Sequence, residues 1–72
     1  MKFDLEIFGE RLTSLREKKN LTITQLGKAL GVGHSAVSRW ESAKRAPSVE
    51  KIFEISIFFG TSADYLIGLR DN

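Results

Sequence analysis

The side chains of this 72-residue chain that could do chemistry are concentrated in one short stretch, residues 34–42. The stretch holds one histidine, three serines, one arginine and one glutamate. His34 is the only histidine and the chain has no cysteine, so the sequence shows no metal-ligand spacing. Two kinds of chemistry remain for these residue types: hydrolysis by a serine nucleophile, and hydrogen bonding to a polar surface such as DNA.

Hydrolysis requires a serine that faces a histidine, and a carboxylate that orients the histidine. His34 and Ser35 are adjacent, and adjacent residues on a helix do not face each other. Glu41 could be considered as a catalytic acid, but no second carboxylate or nucleophile accompanies it. The sequence therefore predicts that the chain is not an enzyme and needs no metal, cofactor or small-molecule ligand.

Hydrogen bonding to DNA fits the pattern of the same stretch better. At about 100° per residue, Val37, Trp40 and Glu41 fall on one side of a helix, with His34 at its edge. The opposite side carries Ser35, Ser38, Arg39 and Ser42. Small hydroxyl side chains allow close approach, and arginine can bind guanine O6 and N7 with two hydrogen bonds. This side is typical of a helix that lies in the major groove, although an ordinary polar surface remains the alternative.

One charged residue lies on the apolar side of that helix and needs a partner. Glu41 falls beside Trp40, where an isolated carboxylate would be costly. Arg16 falls on the apolar stripe of the first predicted helix, about 20° from Leu5. We therefore predict a structural ion pair between Arg16 and Glu41 that tethers the two helices.

The elements that position these residues are five short segments with helical periodicity, separated by helix breakers. Asp4, Ser48 and the Thr22–Gln25 capping box mark helix starts, while Asn20, Gly31, Gly60 and Gly68 mark ends. No stretch alternates with period two, so we predict an all-α fold of five helices. The predicted helices cover about residues 5–19, 22–30, 34–42, 49–59 and 63–67.

Only Gly31, Val32 and Gly33 separate the second and third predicted helices. Two helices joined by a three-residue turn with glycine indicate a helix-turn-helix motif, here at about residues 22–42. Tight glycine turns also occur in purely structural bundles, so a five-helix bundle remains the alternative at this point.

Charge and hydropathy set the remaining limits on the whole chain. Residues 28–51 hold five basic and two acidic residues, a net charge of +3, whereas residues 52–72 carry −2. A basic zone around a suspected recognition helix is the electrostatic footprint of a DNA-binding protein. The most apolar run, residues 52–59, is far shorter than the ~20 residues of a membrane span. We expect one cytoplasmic domain, residues 1–72, with no membrane partner.

The motifs together resemble the phage-repressor helix-turn-helix family, the XRE-like group that includes Cro and the lambdoid repressors. The specific part is Leu30-Gly31-Val32 followed by Val37-Ser38-Arg39-Trp40-Glu41, flanked by Leu15-Arg16, Leu21-Thr22, Leu26, Pro47-Ser48 and Gly60. The resemblance implies a compact five-helix domain that binds double-stranded operator DNA, usually as a homodimer on a palindrome. It implies base or groove contacts from His34, Ser35, Ser38 and Arg39, and phosphate contacts from Lys44, Arg45 and the start of the second helix.

Three positions in the helix-turn-helix depart from the pattern of that family; in the fourth predicted helix, Ile57 stands where the family usually has a polar residue and Phe58 where it often has a smaller one. Ile23 stands where the family commonly has a glutamine that touches phosphate, so Thr24 or Gln25 is the candidate for this contact. Gly33 replaces the usual serine or threonine, which predicts a weaker cap for the third helix. Gly27 replaces the usual alanine, which permits close packing but costs ~1 kcal/mol of helix propensity.

The fourth predicted helix carries two apolar stripes instead of one. The stripe that we assign to the core consists of Ile52, Ile55 and Phe59. Phe53 and Ile57 form a second stripe, which a monomer would leave partly exposed. We predict a homodimer through Phe53 and Ile57; the alternative is that Phe3 folds back onto them within one chain.

The predicted function is that of a sequence-specific DNA-binding transcriptional regulator, of the repressor type found in phages and prophages. The alternative belongs to another class, an antitoxin-type interaction module that neutralises a partner protein, with DNA binding secondary. Purification of a second protein together with this chain would distinguish the two.

Overall fold

The computed structural model describes residues 3–71, and these residues form five α-helices without a β-strand. The helices are α1 (Leu5–Lys18), α2 (Ile23–Leu30), α3 (His34–Glu41), α4 (Val49–Phe59) and α5 (Ala63–Leu66). The predicted all-α architecture is confirmed, with boundaries within one or two residues of those expected. None of the helices in residues 3–71 is both long enough and apolar enough to cross a membrane.

Side chains fix the starts of four of the five helices. Asp4 accepts hydrogen bonds from the backbone N–H groups of Glu6 and Ile7. Thr22 and Gln25 form both hydrogen bonds of a capping box, while Ser48 and Ser62 cap α4 and α5. Gly33 offers no side-chain hydrogen bond to α3, which confirms the weaker cap at that position.

A residue with a left-handed backbone follows each of the five helices closely, and after α5 it is the predicted Gly68, with φ 89°. Asn20, Gly31 and Gly60 have φ values of 56°, 72° and 64°, as expected for the predicted helix ends. Ala43, with φ 61°, plays this role after α3, where the sequence offered no glycine signal. A left-handed conformation costs an alanine roughly 1–2 kcal/mol, so the surrounding contacts must hold α3 to this end point.

The core draws on all five helices. It is formed by Phe8 and Leu12 of α1, Leu26 and Leu30 of α2, Val37 and Trp40 of α3, Ile55 of α4 and Leu66 of α5. Ile52 and Phe59 pack against this cluster as partly buried neighbours, on the side of α4 that we assigned to the core.

Two further contacts hold α1 against its neighbours. Gly9 is buried at the crossing of α1 and α3, where an added Cβ would lie 2.6 Å from the carbonyl oxygen of Glu41. Arg11 donates hydrogen bonds to the carbonyl oxygens of Tyr65 and Arg70, and its guanidinium lies 4.3 Å from the centre of the Tyr65 ring. Arg11 thereby fixes α5 and the residues after it on α1.

Candidate nucleic-acid interface

The turn between α2 and α3 is tight because residue 27 has no side chain. The N–H of Val32 donates to the carbonyl of Gly27 over 2.8 Å. A Cβ on Gly27 would lie 2.8 Å from the carbonyl oxygen of Val32, closer than Cβ atoms approach oxygen. The glycine that departs from the family pattern is therefore required by the turn as it stands, and not merely tolerated.

The third helix has the two sides that the helical wheel predicted. Val37 is fully buried and Trp40 is 5% exposed, so both hold α3 on the core. Among the candidate base contacts, His34, Ser35 and Arg39 are exposed and Ser38 is half-buried. The Ser42 hydroxyl donates to the carbonyl of Ser38 over 2.9 Å and so serves the end of the helix.

Arg16 and Glu41 form the ion pair that connects α1 with the end of α3. Nε of Arg16 donates to Oε2 of Glu41 over 2.7 Å, and Nη2 donates to Oε1 over 3.0 Å. Nη1 of Arg16 also donates to the carbonyl of Leu21 over 2.8 Å. The hydrogen bond to Glu41, above all, raises the pKa of Arg16, so this guanidinium stays charged at every pH below the ordinary arginine value.

The loop after α3 places two basic residues beside the polar face of that helix. Backbone N–H groups of Lys44 and Arg45 donate to the carbonyl of Arg39, over 2.9 and 3.3 Å. Both basic side chains are exposed. A groove of about 650 Å³ runs between α3 and the loop, and Ser35, Arg39 and Arg45 line it. This arrangement brings Arg39 together with the predicted phosphate-binding loop.

The start of α2 carries the other two candidate phosphate contacts. Thr24 and Gln25 are exposed in its first turn. Oε1 of Gln25 accepts a hydrogen bond from the N–H of Thr22 over 2.8 Å, so the amide NH₂ remains to donate to a phosphate.

Sequence reasoning missed the role of Lys51, which it counted only as part of the basic zone. Nζ of Lys51 donates to the carbonyl of Leu30 over 2.7 Å and to Oε1 of Glu54 over 2.9 Å. The i,i+3 spacing of Lys51 and Glu54 signals their pairing, but no sequence signal indicates the contact with Leu30.

The outer side of α4 presents an exposed apolar stripe. Phe53 is 65% and Ile57 67% exposed, and both lie beside a groove of about 280 Å³ that Ala29 and Phe58 also line. Val49, 86% exposed, extends the stripe at i,i+4,i+8 spacing, a signal that our reading of the sequence did not use. Phe3 lies instead with Leu5 and Ala43, so the alternative in which Phe3 covers this stripe is wrong.

Metal ligands and buried polar atoms were the remaining features that could indicate chemistry. In residues 3–71 no group of three or more His, Asp or Glu side chains is placed to hold a metal ion. In the same part of the chain every buried side-chain nitrogen and oxygen has a hydrogen-bond partner. Arg16 and Glu41, which are drawn into the interior near α3, are thus bound to each other, and Arg16 also to the backbone.

A helix-turn-helix with a polar, arginine-bearing second helix and a basic loop defines the class of protein. Residues 12–66 match the helix-turn-helix family HTH_3, and the chain belongs to this family. The resemblance to phage repressors is confirmed with it.

Two curated relatives match most of this chain. The HTH-type transcriptional activator BcrR of Enterococcus faecalis is 45% identical over 60 residues, which cover 83% of this chain and 29% of BcrR. Repressor protein C2 of Salmonella phage P22 is 34% identical over 62 residues, 86% of this chain and 29% of the repressor. The chain therefore spans less than a third of the length of these relatives.

Solved structures share the fold. The P22 c2 repressor in complex with a synthetic operator superposes with a TM-score of 0.81 at 34% identity, covering 85% of this chain and 92% of that one. Hydroxypropylphosphonic acid epoxidase from S. wedmorenis superposes with a TM-score of 0.80 at 25% identity, covering 93% of this chain and 36% of the enzyme. The fold thus also occurs as a minor part of an enzyme.

Proposed function

We propose that this protein is a transcriptional regulator that binds double-stranded DNA in a sequence-specific manner, with α3 in the major groove. The observation that carries the proposal is the placement of Arg39, exposed on α3 and lining the same groove as the basic loop. A group suited to reading bases thus lies beside groups suited to binding phosphates, which supports the proposal because DNA recognition uses both. The P22 repressor, which has the same fold and is 34% identical to this chain, has been crystallised with a synthetic operator.

The outer side of α3 supplies the contacts to bases. Arg39 binds guanine O6 and N7, while Ser35 and Ser38 can donate to or accept from several base edges. His34, in the first turn of α3, reaches the groove edge. Gly33 leaves the start of the helix without a side chain, which allows it to approach the DNA closely.

Contacts to phosphates come from both sides of α3. Lys44 and Arg45 follow its end, and Thr24 and Gln25 lie in the first turn of α2. The N-terminus of α2 adds the favourable end of a helix dipole to these donors. Such contacts fix the position of α3 on the duplex and strengthen binding to every sequence alike.

Two copies are needed to read a palindrome. One molecule measures 32 × 23 × 20 Å, while successive half-sites on one face of DNA are ~34–36 Å apart. Phe53 and Ile57 form the exposed apolar surface through which we propose that a two-fold symmetric homodimer assembles.

The proposed outcome of binding is repression, as for phage repressors, in the cytoplasm and without a cofactor or small-molecule ligand. One relative is named an activator and the other a repressor. Binding to DNA is therefore the part of the proposal that does not depend on whether transcription is activated or repressed. We propose no catalysis, because Glu41 is bound to Arg16 and His34 and Ser35 are neighbours on one exposed helix turn. No observation favours the antitoxin alternative over this proposal.

Selection of bound duplexes from a pool of random sequence tests the proposal. The expected result is a palindrome whose half-sites are centred ~10–10.5 base pairs apart, or a multiple of this spacing, each with a guanine that depends on Arg39. Recovery of unselected sequence, with no motif after repeated rounds, would contradict sequence-specific binding.

A further inference from the structure

Lys51 lies at the wrong end of its own helix for a basic residue. It occupies the first turn of α4, where the helix dipole disfavours a positive charge. Its side chain turns instead to the end of α2, where Nζ donates to the carbonyl of Leu30 over 2.7 Å. That carbonyl belongs to the last turn of α2, whose acceptors have no partner within the helix and carry partial negative charge. Lys51 thereby caps α2 from another helix.

This contact joins the two segments that border the groove between α3 and the basic loop. Leu30 directly precedes the turn that leads into α3. Lys51 lies in the first turn of α4, the helix that follows the basic loop, and its own N–H donates to the hydroxyl of the cap residue Ser48 over 3.1 Å. The other end of the loop is already fixed to α3, because the backbone N–H groups of Lys44 and Arg45 donate to the carbonyl of Arg39. Lys51 therefore fixes the free end of the loop relative to α3.

We infer that Lys51 is a positioning residue for DNA recognition, which sets the distance between the base-reading side of α3 and the phosphate-binding loop. The inference rests on the proposed function. Bases and phosphates occupy fixed relative positions in a duplex, so both sets of contacts form together only if the protein holds the same spacing. Nζ of Lys51 donates to the carbonyl of Leu30 and to Glu54, and its side chain is only 25% exposed, so we assign it no contact with phosphate.

A direct phosphate contact and a positioning role predict different salt dependence. The slope of log K against log salt is negative, and each phosphate contact that is lost lowers its magnitude by about one and weakens binding to all sequences alike. Loss of positioning lowers affinity for the selected site more than for other sequences, and leaves the slope unchanged.

The experiment compares Lys51→Met, Lys51→Arg and Lys44→Met with the unmodified protein. Binding is measured over a salt series to the duplex recovered from the random pool and to a scrambled duplex of the same composition. For Lys51→Met we expect the ratio of the two affinities to fall about tenfold, comparable with one mismatched base pair, at an unchanged slope. Lys51→Arg keeps a charged donor and should restore most of the ratio. Lys44→Met should lower the magnitude of the slope by about one at a constant ratio.

Two results for Lys51→Met would overturn the inference: a slope whose magnitude is lowered by about one at constant ratio, or no change in either quantity. If the unmodified protein shows no preference for any duplex, the proposed function fails instead. A measurement on the unmodified protein covers the case in which the variant does not fold. With ¹⁵N-labelled lysine, the Lys51 ammonium signal should stay in place when the selected duplex is added while the Lys44 signal shifts; a Lys51 shift as large as that of Lys44 would also overturn the inference.

Discussion

Arg16 and Arg39 carry the same guanidinium group, but Arg16 is largely buried and Arg39 is exposed. We therefore assign a structural role to Arg16 and a role in recognition to Arg39. Arg16 uses its donors on Glu41 and on the carbonyl of Leu21, and its side chain is only 14% exposed. Arg39 is exposed on the outer side of α3, beside Ser35 and the basic loop. A guanidinium that is not committed inside the protein is available for a guanine.

Replacement of Arg39 should therefore affect recognition and leave the fold intact. For Arg39→Ala we expect a loss of ~1–3 kcal/mol in affinity for the selected site, with relaxed preference at one base pair per half-site. Lys44→Ala or Arg45→Ala should instead weaken binding to all duplexes and lower the magnitude of the salt slope by about one. Titrations with single-base variants of the site measure both effects. Unchanged base preference in Arg39→Ala would show that α3 does not read bases through Arg39.

At the level of the elements, the position of α3 depends on close backbone contact with α1. An added Cβ at Gly9 would lie 2.6 Å from the carbonyl oxygen of Glu41 and 2.9 Å from that of Trp40. Backbone atoms cannot give way as a flexible side chain can. The orientation of α3 thus depends on a buried residue of α1 that carries no side chain.

We expect Gly9→Ala to destabilise the protein by ~1–3 kcal/mol, the usual cost of overpacking. The matched control is Gly33→Ser, because a Cβ there meets no atom within 4 Å and serine can cap α3. This control should gain a few tenths of a kcal/mol. Urea denaturation measures both changes. Equal stability of Gly9→Ala and the unmodified protein would mean that α1 and α3 are not packed this closely.

The ion pair between α1 and α3 calls for a separate test. Both side chains are largely buried, 14% exposed for Arg16 and 9% for Glu41, so loss of one partner should cost nearer the ~3 kcal/mol of a buried pair than the ~0–1 kcal/mol of a surface pair. Arg16→Met should cost more than Glu41→Leu, because it also frees the carbonyl of Leu21. The double variant should recover much of the loss. Strict additivity in the double-mutant cycle would show that the two residues do not interact.

The helices could be predicted from sequence because their ends are marked by local chemistry. Asp4, the Thr22–Gln25 box, Ser48 and Gly60 act on neighbours three or four residues away, within reach of pattern analysis. The ion pair followed because both charges interrupt apolar stripes. Contacts between distant segments could not be predicted in this way. No sequence pattern indicates that Gly9 packs against α3 or that Lys51 donates to the carbonyl of Leu30. The left-handed Ala43 was missed because alanine carries no signal for that conformation.

At the scale of the whole molecule, two surfaces have different chemistry. The surface around α3 and the following loop belongs to the segment with a net charge of +3. The outer side of α4 instead exposes Val49, Phe53 and Ile57. Positive charge attracts the duplex whatever its sequence, whereas an exposed apolar stripe favours contact with another protein surface. A second copy on α4 would leave the basic surface of each molecule free for DNA.

The combination of Phe53→Lys with Ile57→Glu should abolish the dimer without unfolding the chain, because both residues are more than half exposed. We expect a folded monomer that binds a half-site weakly and has lost the added affinity for the palindrome. Leu69→Lys, at another exposed apolar residue, is the control and should leave the dimer intact. Sedimentation equilibrium measures the mass. An unmodified protein that is monomeric at high micromolar concentration, with operator binding unaffected in the variant, would falsify this interface.

The most direct test of the central claim, that α3 reads bases in the major groove through Arg39, is methylation interference on the selected duplex. Methylation of guanine N7 blocks the acceptor that arginine binds. We predict that one methylated guanine per half-site prevents binding of the unmodified protein, and that Arg39→Ala is insensitive to the same methyl group. Equal interference with both proteins, or interference with neither, would contradict the assignment of Arg39 to that guanine.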